Sequence, residues 1–525
     1  MTDPSIILAK SISKTSDPHS AIVTLPQHSK AVADSAELLV RMVGDLGLSA
    51  MGIENFKQEL IRVLYFFGLF HDIGKISDLF QLLLRHKSVK QMLRHEVVSA
   101  MIVRHFFAEV LRRLSFTEDE IFSLQCAILG HHRKFFPGEK GWDAEEVSDM
   151  QIPLQKLWQD IRQLFPPHQQ EVTDAVGKSF PPVITVSMDS DKQGWHAKTE
   201  LILLQRSLSR YENRGVPEQR KRFIALAKTM SIVADVLGSA IPEDSRKKEE
   251  IIRTAASTGL SPVQYRDLIE NWAQRRGLPL PFTSRPFQEK AANSESLTTV
   301  MIAGCGSGKS VAAYMWAKKW SERREKDGLS ATRLFFCLPT MGTATEQYKD
   351  YAMYSGVDAE LVHSRSEIDL DLLRSQLEDA EEQSASSDNR EVVADAFRLW
   401  QSPLIVCTAD TVLGLMVNAR KSLYLFPAFF NSVFVFDEVH AMDSRLFGHL
   451  LMFLRQFPNI PVLLMSASLP ASRLVLLQQA RSGCLPEVIR DDSGRETLPR
   501  YRLYMDLSAE DIRAEIDKTV MSGGK

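Results

Sequence analysis

The sequence predicts a multidomain protein in which an all-α domain precedes an α/β domain with a parallel sheet. Two observations carry this prediction. Apolar residues recur at helical spacing through the first 245 residues, whereas after residue 285 short apolar strands alternate with helices. Strands that alternate with helices typically form a parallel sheet. We therefore assign one domain to residues 1–245, a helical linker to residues 246–284 and a second domain to residues 285–525.

The composition limits the classes of partner. The 525 residues are 44% hydrophobic and 25% charged with a net charge of −3, so no general basic field draws the chain onto nucleic acid. We find no run of about 18 apolar residues and no signal peptide, and we expect a cytoplasmic protein without a membrane partner. The 5 cysteines lack metal-type spacing and are expected to be reduced core residues.

Helices are expected in the first domain wherever apolar residues follow the helical period. The predicted helices cover residues 32–40, 59–70, 95–114, 118–130, 154–164 and 198–240. The dipeptides Pro137-Gly138 and Pro166-Pro167 break the chain between them. In the linker, a charged helix is expected from residue 246 and a second helix from Pro262 to Arg276.

Histidines are concentrated in the first domain, since 10 of the 13 lie between His19 and His196. The pair His71-Asp72 ends an apolar helix, and the two oxygens of a carboxylate allow Asp72 to bridge two divalent cations. Gly74 permits a close chain approach, and Lys75 offers a positive charge to a phosphate. Each such residue, taken alone, is equally compatible with an ordinary structural role. Further candidate metal ligands on the same scaffold are His28, His95, His131, His132 and Asp235.

This ordered set resembles the HD phosphohydrolase superfamily, and in particular the HD nuclease domain of the CRISPR-associated type I helicase–nucleases. The resemblance implies a pair of metal ions that hold both oxygens of a phosphodiester displacement, with Asp72 and Lys75 as catalytic residues. One ion would be bound by His28, His71, Asp72 and Asp235. The other would be bound by Asp72, His95, His131 and His132. Histidine-rich ligands favour Mn, Fe, Co or Ni over Mg.

A phosphate-binding loop follows the first predicted strand of the second domain. Residues 297–302 form an apolar strand, residues 303–310 read Ala-Gly-Cys-Gly-Ser-Gly-Lys-Ser, and a helix follows. In such a loop the backbone N–H groups bind phosphates, Lys309 reaches the β and γ oxygens, and Ser310 binds Mg²⁺. The remaining loop residues assigned to the cofactor are Gly304, Gly306, Ser307 and Gly308.

Later strands of the second domain lead into further motifs. The strand at residues 432–436 ends in Asp437-Glu438, where Asp437 would hold Mg²⁺ and Glu438 would activate the attacking water. The full series resembles the first RecA-like lobe of superfamily 2 DExH helicases, which implies ATP and Mg²⁺ as cofactors. Its motifs are Arg285-Pro286-Phe287-Gln288, the phosphate loop, Pro339-Thr340, Thr408-Ala409-Asp410, Asp437-Glu438-Val439-His440 and Ser466-Ala467-Ser468.

Individual residue roles follow from the helicase resemblance. It implies that Gln288 contacts adenine. It also implies that single-stranded DNA crosses Pro339-Thr340, Leu361-Val362-His363-Ser364 and Thr408-Ala409-Asp410. Thr340 and Thr408 are equally compatible with ordinary loop caps. Only 57 residues follow Ser468, whereas a second RecA-like lobe needs about 150. That lobe is therefore expected to be missing from this chain, and efficient ATP hydrolysis by this chain alone is not expected.

Together the two resemblances imply a CRISPR antiviral effector. Such an effector is a metal-dependent single-stranded DNA nuclease coupled to an ATP-dependent 3′–5′ helicase or translocase. An RNA-guided surveillance complex would recruit it to degrade foreign DNA, and the second helicase lobe could be on another chain. Two alternatives stay open: an HD phosphohydrolase that acts on nucleotides with a regulatory ATP-binding lobe, and a non-catalytic recruitment module.

Overall fold

The structure is a computed structural model, and every structural statement below concerns the parts of the chain that it describes. These are residues 6–10, 23–85, 88–132, 144–145, 147–189, 194–241, 244–362, 397–481, 485–491 and 508–521. Within them a helical domain is followed by an α/β domain with a parallel sheet, so the predicted fold class is confirmed.

Eleven helices are described in the first domain, and most join through short turns. Their bounds are α1 Leu25–Leu39, α2 Asp45–Met51, α3 Lys57–Phe70, α4 Asp78–Leu84, α5 His95–Ile102, α6 Ala108–Arg113, α7 Glu118–Gly130, α8 Leu154–Ile161, α9 Gln170–Gly177, α10 Ala197–Glu212 and α11 Glu218–Ala240. Thr24 caps α1 and Thr117 caps α7, each through a reciprocal bond with the residue three positions later. Single π-helical turns at Val40–Gly44 and Val103–Phe107 join α1 to α2 and α5 to α6.

Two details of this domain differ from the sequence prediction. The single helix predicted over residues 198–240 is wrong, because the chain turns between α10 and α11. Gly215 adopts a left-handed φ of +67° there, and Pro217 lacks the N–H donor that would continue α10. The all-α prediction also did not include a small sheet. Its strands are too short for an alternation of apolar and polar residues to be recognised in the sequence. Its strands are β1 Met150–Ile152, β2 Ile184–Ser187 and β3 Trp195–His196.

Two glycines allow α1 to lie very close to its neighbours. A Cβ on Gly68 of α3 would stand 2.4 Å from the Cα of Ala33, and one on Gly238 of α11 would stand 2.7 Å from Cγ2 of Val32. Real Cβ atoms essentially never come within 3.0 Å of such neighbours. Side chains on α1, at the end of α3 and on α11 are therefore brought within contact distance of one another.

The helix α11 is the central helix of this domain and packs on α1, α3 and α7. By length and composition it is apolar enough to cross a membrane, but 61% of its most apolar window is buried inside the protein. A helix that is apolar on several sides is expected wherever it is surrounded by other helices.

The second domain is built on a seven-stranded sheet in the order β10-β4-β9-β8-β5-β7-β6. All neighbouring strands are parallel, and the central ones are buried throughout, which explains their uninterrupted apolar sequences. The strands are β4 Thr298–Ile302, β5 Arg333–Leu338, β6 Ala359–Val362, β7 Leu404–Thr408, β8 Ser432–Phe436, β9 Val462–Ser466 and β10 Glu487–Arg490.

Helices connect the domains and cover the sheet. The two linker helices are α12 Ser245–Ser257 and α13 Pro262–Arg275. The following helices are α14 Pro286–Asn293, α15 Lys309–Lys326, α16 Met341–Gln347, α17 Ala409–Leu413, α18 Arg420–Phe429, α19 Ser444–Gln456, α20 Ala471–Ala480 and α21 Ala509–Met521.

The two domains share one continuous apolar core, which runs from the helices of the first domain to one face of the sheet. A Cβ on Gly47 would stand 2.9 Å from the ring of Phe430, so the backbone of α2 lies directly against the second domain. Lys228 of α11 donates a hydrogen bond to Oδ1 of Asn418 at 3.2 Å. The relative position of the domains is therefore set by both packing and hydrogen bonds.

A buried arginine ties the linker to the sheet. Arg333 at the start of β5 is fully buried and donates to backbone carbonyl oxygens from several elements. They belong to Thr254, Ala255, Trp400, Ser402 and Ala428. Two of them lie in the last turn of α12, where the carbonyl oxygen of Thr254 also accepts from the N–H of Thr258 at 3.1 Å. Burial lowers the pKa of the guanidinium to about 9, so Arg333 is charged at neutral pH.

Candidate metal centre and nucleotide site

The candidate metal centre is organised around Asp72, which follows the C-terminal end of α3. His71 and Asp72 are almost completely buried. Burial alone would raise the pKa of Asp72, but Lys75 and His71 reverse this effect and hold it well below its usual range. Asp72 is therefore a carboxylate at neutral pH, and its two oxygens face different groups of histidines.

The first group surrounds Oδ2 of Asp72. Nε2 of His28 lies 3.0 Å from this oxygen and Nε2 of His71 lies 3.4 Å from it. Oδ1 of Asp235 is 3.6 Å from His28 and 3.7 Å from His71. Burial lowers the pKa of His28, which favours the neutral ring that a metal requires. The close approach of α1, α3 and α11 at Gly68 and Gly238 thus brings this predicted ligand set together.

The second group surrounds Oδ1 of Asp72. Nε2 of His95 lies 3.3 Å away and Nε2 of His131 lies 3.7 Å away. The exposed ring of His132 completes the group, with its centroid 5.1 Å from that of His95. The ligand atoms of Asp72 and these three histidines all lie within 4.8 Å of one another.

Backbone carbonyls orient two of the rings. Nδ1 of His71 lies 3.1 Å from the carbonyl oxygen of Gly68, and Nδ1 of His131 lies 2.6 Å from that of Ile128. A proton on Nδ1 satisfies each carbonyl and leaves the electron pair of Nε2 free toward Asp72. Histidines near the C-terminal end of a helix thus use the carbonyl three residues earlier to select one tautomer.

Three buried atoms at the centre have no hydrogen-bond partner among the residues that the structure describes. They are Oδ1 of Asp72, Nε2 of His95 and Nε2 of His131. An unsatisfied buried polar atom costs about 1–3 kcal/mol, so such a convergence is unfavourable unless something binds there. The acceptor atoms share one small volume, and imidazole nitrogen and carboxylate oxygen are ligands that bind divalent cations.

Lys75 is engaged within the protein rather than free. Its Nζ lies 2.7 Å from Oδ2 of Asp72 and donates to the carbonyl oxygen of Ala9 at 3.2 Å. The ammonium therefore neutralises part of the acidic charge at the centre. It also anchors the segment that contains Ala9 beside the 3-10 turn Ile73–Ile76.

Sequence reasoning missed Glu96, which directly follows His95 in the first turn of α5. Its carboxylate is buried, and Oε2 lies 3.3 Å from Nδ1 of His95. Oε1 accepts from Nε of Arg94 at 2.5 Å. Burial alone would raise the pKa of Glu96, but His95 and Arg94 lower it to about 2. The available signal was a carboxylate adjacent to a candidate ligand histidine.

The phosphate loop lies between β4 and α15, as the motif predicted. Gly304, Gly306 and Ser307 form the turn, and Gly308 precedes α15 at its N-cap position with a φ of +93° that favours glycine. Lys309 is buried, and its Nζ donates to the carbonyl oxygen of Ala303 at 3.0 Å. The half-buried Ser310 follows it in the first turn of α15, where N–H groups are available to an anion.

Cys305 is exposed in this loop, so the prediction that the cysteines are core residues is wrong at this position. Exposure at this position is what a loop would need if it presents its backbone to a phosphate. Cys126, Cys337 and Cys407 are buried as predicted, and Cys484 lies outside the described residues.

Gln288 supports the phosphate loop. Its Oε1 accepts from the backbone N–H of Arg285 at 2.8 Å, and its Nε2 donates to the carbonyl oxygen of Gly308 at 2.9 Å. A Cβ on Gly308 would stand 2.5 Å from that nitrogen, so only glycine allows this contact. The amide is thus bonded to the loop itself, a role that the sequence analysis did not assign to it.

Asp437 and Glu438 follow β8 beside this loop. Burial, and secondarily the charge of Glu438, raises the pKa of Asp437 to about 6. Glu438 adopts a left-handed φ of +48°, a strained conformation for a non-glycine residue. Oε1 of Glu438 lies 3.5 Å from Nζ of Lys309, and Oε2 lies 3.1 Å from Nδ1 of His440. His440 contacts Oγ of Ser466 at 3.0 Å, which connects this motif to the Ser-Ala-Ser motif.

Of the three predicted DNA-contacting motifs, one begins with Leu361-Val362 at the end of β6, and its His363-Ser364 lies outside the described residues. The other two motifs have different surroundings. The side chain of Thr340 accepts from the backbone N–H of Thr343 at 3.2 Å, so this residue caps α16. Thr408 is buried at the N-cap position of α17, whereas Asp410 is exposed. The capping alternative therefore describes the contacts of Thr340.

Comparisons with known proteins agree with this architecture. The Cas3 HD-domain model matches residues 9–241, and the DEAD/DEAH-box helicase model matches residues 285–475. A CRISPR-associated nuclease/helicase Cas3 of Myxococcus xanthus is 34% identical over 508 residues, which cover 94% of this chain and 64% of that protein. A relative of the same description from Methanocaldococcus jannaschii is 28% identical over 191 residues, or 35% of this chain and 24% of that protein.

A solved structure resembles the fold over most of the chain. The crystal structure of T. fusca Cas3 with AMPPNP has a TM-score of 0.50 at 19% identity, and the match covers 90% of this chain and 52% of that one. This chain thus spans less than two thirds of the length of these relatives. It carries a Cas3 HD domain followed by a DEAD/DEAH-box helicase domain, and the relatives that it resembles are CRISPR-associated nuclease/helicases named Cas3.

Proposed function

We propose that this chain acts in CRISPR antiviral defence as a metal-dependent nuclease for single-stranded DNA, joined to an ATP-dependent 3′–5′ helicase or translocase. An RNA-guided surveillance complex in the cytoplasm would recruit it to foreign DNA. The observation that carries the proposal is the convergence of histidine and aspartate side chains on Asp72. They lie in a domain whose core is continuous with a nucleotide-binding domain.

The residues of the proposed nuclease site have separate tasks. Asp72 would belong to both ligand sets, since its two oxygens face different groups of histidines. His28, His71 and Asp235 would complete one set, and His95, His131 and His132 would complete the other. When bound, such a pair of ions supplies activation of water and neutralisation of phosphate charge. We propose Mn, Fe, Co or Ni because imidazole ligands predominate.

Lys75 and His132 would face the substrate side of this site. The ammonium of Lys75 already lies beside Asp72 and would add positive charge near a bound phosphate. The ring of His132 is exposed, whereas His95 and His131 are buried. Its position marks the side from which a DNA phosphate could enter the centre.

The second domain would bind ATP with Mg²⁺. Lys309 and the backbone of the phosphate loop would hold the phosphates, Ser310 and Asp437 would hold Mg²⁺, and Glu438 would orient the attacking water. Efficient hydrolysis would also need a positive group from a second RecA-like lobe, a contribution worth about 10³–10⁵-fold in related phosphoryl transfers.

A nuclease assay tests the proposal. Purified protein with Mn²⁺ or Co²⁺ is expected to cut single-stranded DNA, and Asp72→Ala is expected to remove both bound metal and cutting. The matched control is Asp34→Ala, which changes an exposed aspartate of α1 that pairs only with Lys30 among the described ion pairs. Full cutting by Asp72→Ala would refute the site assignment. Turnover of nucleotides without any action on DNA would favour the phosphohydrolase alternative instead.

A further inference from the structure

We propose that Glu96 is a positioning residue, which selects the tautomer of His95 that can bind the second cation. This inference rests on the proposed metal site and concerns a residue that does not contact the metal itself. Its basis is the buried carboxylate of Glu96 behind the ring of His95, on the side opposite Asp72.

His95 lacks the helical carbonyl acceptor for Nδ1 that His71 and His131 have. His71 and His131 lie at the ends of α3 and α7, and the preceding helical turn supplies a carbonyl for Nδ1. His95 is the first residue of α5, so no helical turn precedes it. A substitute acceptor is therefore required if Nε2 is to face the metal without a proton.

Glu96 supplies that acceptor. Its Oε2 lies 3.3 Å from Nδ1 of His95 and is itself a buried atom without a hydrogen-bond partner in the described parts of the chain. On the other side of the ring, Oδ1 of Asp72 lies 3.3 Å from Nε2. Without Glu96, the proton of the neutral ring would be attracted to the side of Asp72 and would block the ligand position. Glu96 offers an equally close carboxylate that holds the proton at Nδ1.

Arg94 determines how this carboxylate is presented. It donates to Oε1 of Glu96 at 2.5 Å, so the other oxygen is the one available to His95. Arg94 thus donates to Glu96, and Glu96 would accept the proton of His95 on the side of the ring that faces away from Asp72. An amide in place of the carboxylate would give its oxygen to Arg94 and turn its NH₂ group toward Nδ1. That arrangement would stabilise the opposite tautomer, with a proton on Nε2.

Glu96→Gln therefore tests the inference with almost no change in shape. We expect the wild-type protein to bind two Mn²⁺ ions in calorimetry, and we expect the variant to lose about 10–100-fold in affinity for one of them. The visible absorption spectrum of bound Co²⁺ reports the ligand set directly, and it should differ between the wild-type protein and the variant. The matched control is Glu200→Gln, because Oε2 of Glu200 lies 2.8 Å from Nε2 of His105 outside the metal cluster.

The outcomes separate the two proposals. Failure of the wild-type protein to bind metal would refute the metal site itself. Two ions bound by Glu96→Gln with unchanged affinity would refute only the role of Glu96. If the variant does not fold, ¹⁵N NMR of metal-free wild-type protein decides the question. A neutral His95 ring is then expected to carry its proton on Nδ1, and a proton on Nε2 would overturn the inference.

Discussion

Replacement of Gly74 by alanine should damage one half of the metal centre and spare the other. Gly74 lies in the 3-10 turn after Asp72 and packs directly on the first turn of α5. An added Cβ would stand 2.1 Å from the carbonyl oxygen of His95 and 2.7 Å from the backbone nitrogen of Ser99. Both neighbours are backbone atoms, so no side-chain rotation can relieve the contact.

The required displacement can be read from these distances. Ordinary contacts of a Cβ begin at 3.4 Å, so the start of α5 must move by about 1.3 Å, the difference from the 2.1 Å contact. Ligand distances in metal sites are held to within about 0.2 Å, and His95 would therefore be carried out of reach. Overpacking of this kind typically costs about 1–3 kcal/mol of folding stability. His28, His71 and Asp235 lie on other helices and should keep their positions.

Metal stoichiometry measures this effect directly. We expect Gly74→Ala to bind one ion where the wild-type protein binds two, with a lower midpoint of chemical unfolding. Gly448→Ala is a suitable control, because a Cβ at that position of α19 would meet nothing within 4 Å. Binding of both ions by Gly74→Ala at wild-type affinity would contradict the described packing of α5 against Asp72.

Two further predictions concern the second domain. Because the pKa of Asp437 is raised to about 6 in the folded protein, ionisation of this carboxyl destabilises the folded state. The destabilisation disappears as the pH falls from about 6 toward 4 and the carboxyl becomes protonated. Binding of Mg²⁺ with an ATP analogue at pH 6 should therefore release about half a proton per chain, measurable by calorimetry in two buffers and absent in Asp437→Asn. Arg333→Met should lower the free energy of unfolding by about 3–5 kcal/mol, since buried carbonyls lose their donor. Arg398→Met, at an exposed ion pair with Glu360, should change it by less than about 1 kcal/mol, and equal effects of the two changes would contradict the role of Arg333.

Several elements were predictable because their signals are local. The phosphate loop is encoded by eight consecutive residues between a strand and a helix, and β8 has the bounds that its apolar run predicted. Residues 118–130 also form the helix that their period indicated. The break after α10 was missed because the charged residues on both sides of Gly215 and Pro217 are themselves good helix formers, so that only these two residues mark the turn. The candidate ligands could be named by residue type and order, with the resemblance to a known family supplying their grouping.

The sequence by itself determined the fold class, the order of the domains and the residue types of both candidate sites, because periodicity and motif spacing act over a few neighbouring residues. Only the tertiary structure decided which oxygen of Asp72 faces which histidines, and that Glu96 lies behind His95. It also decided how closely α1 approaches α3 and α11 at Gly68 and Gly238. These features depend on contacts between atoms far apart along the chain, whose distances are set by the packing of whole helices and by no local pattern.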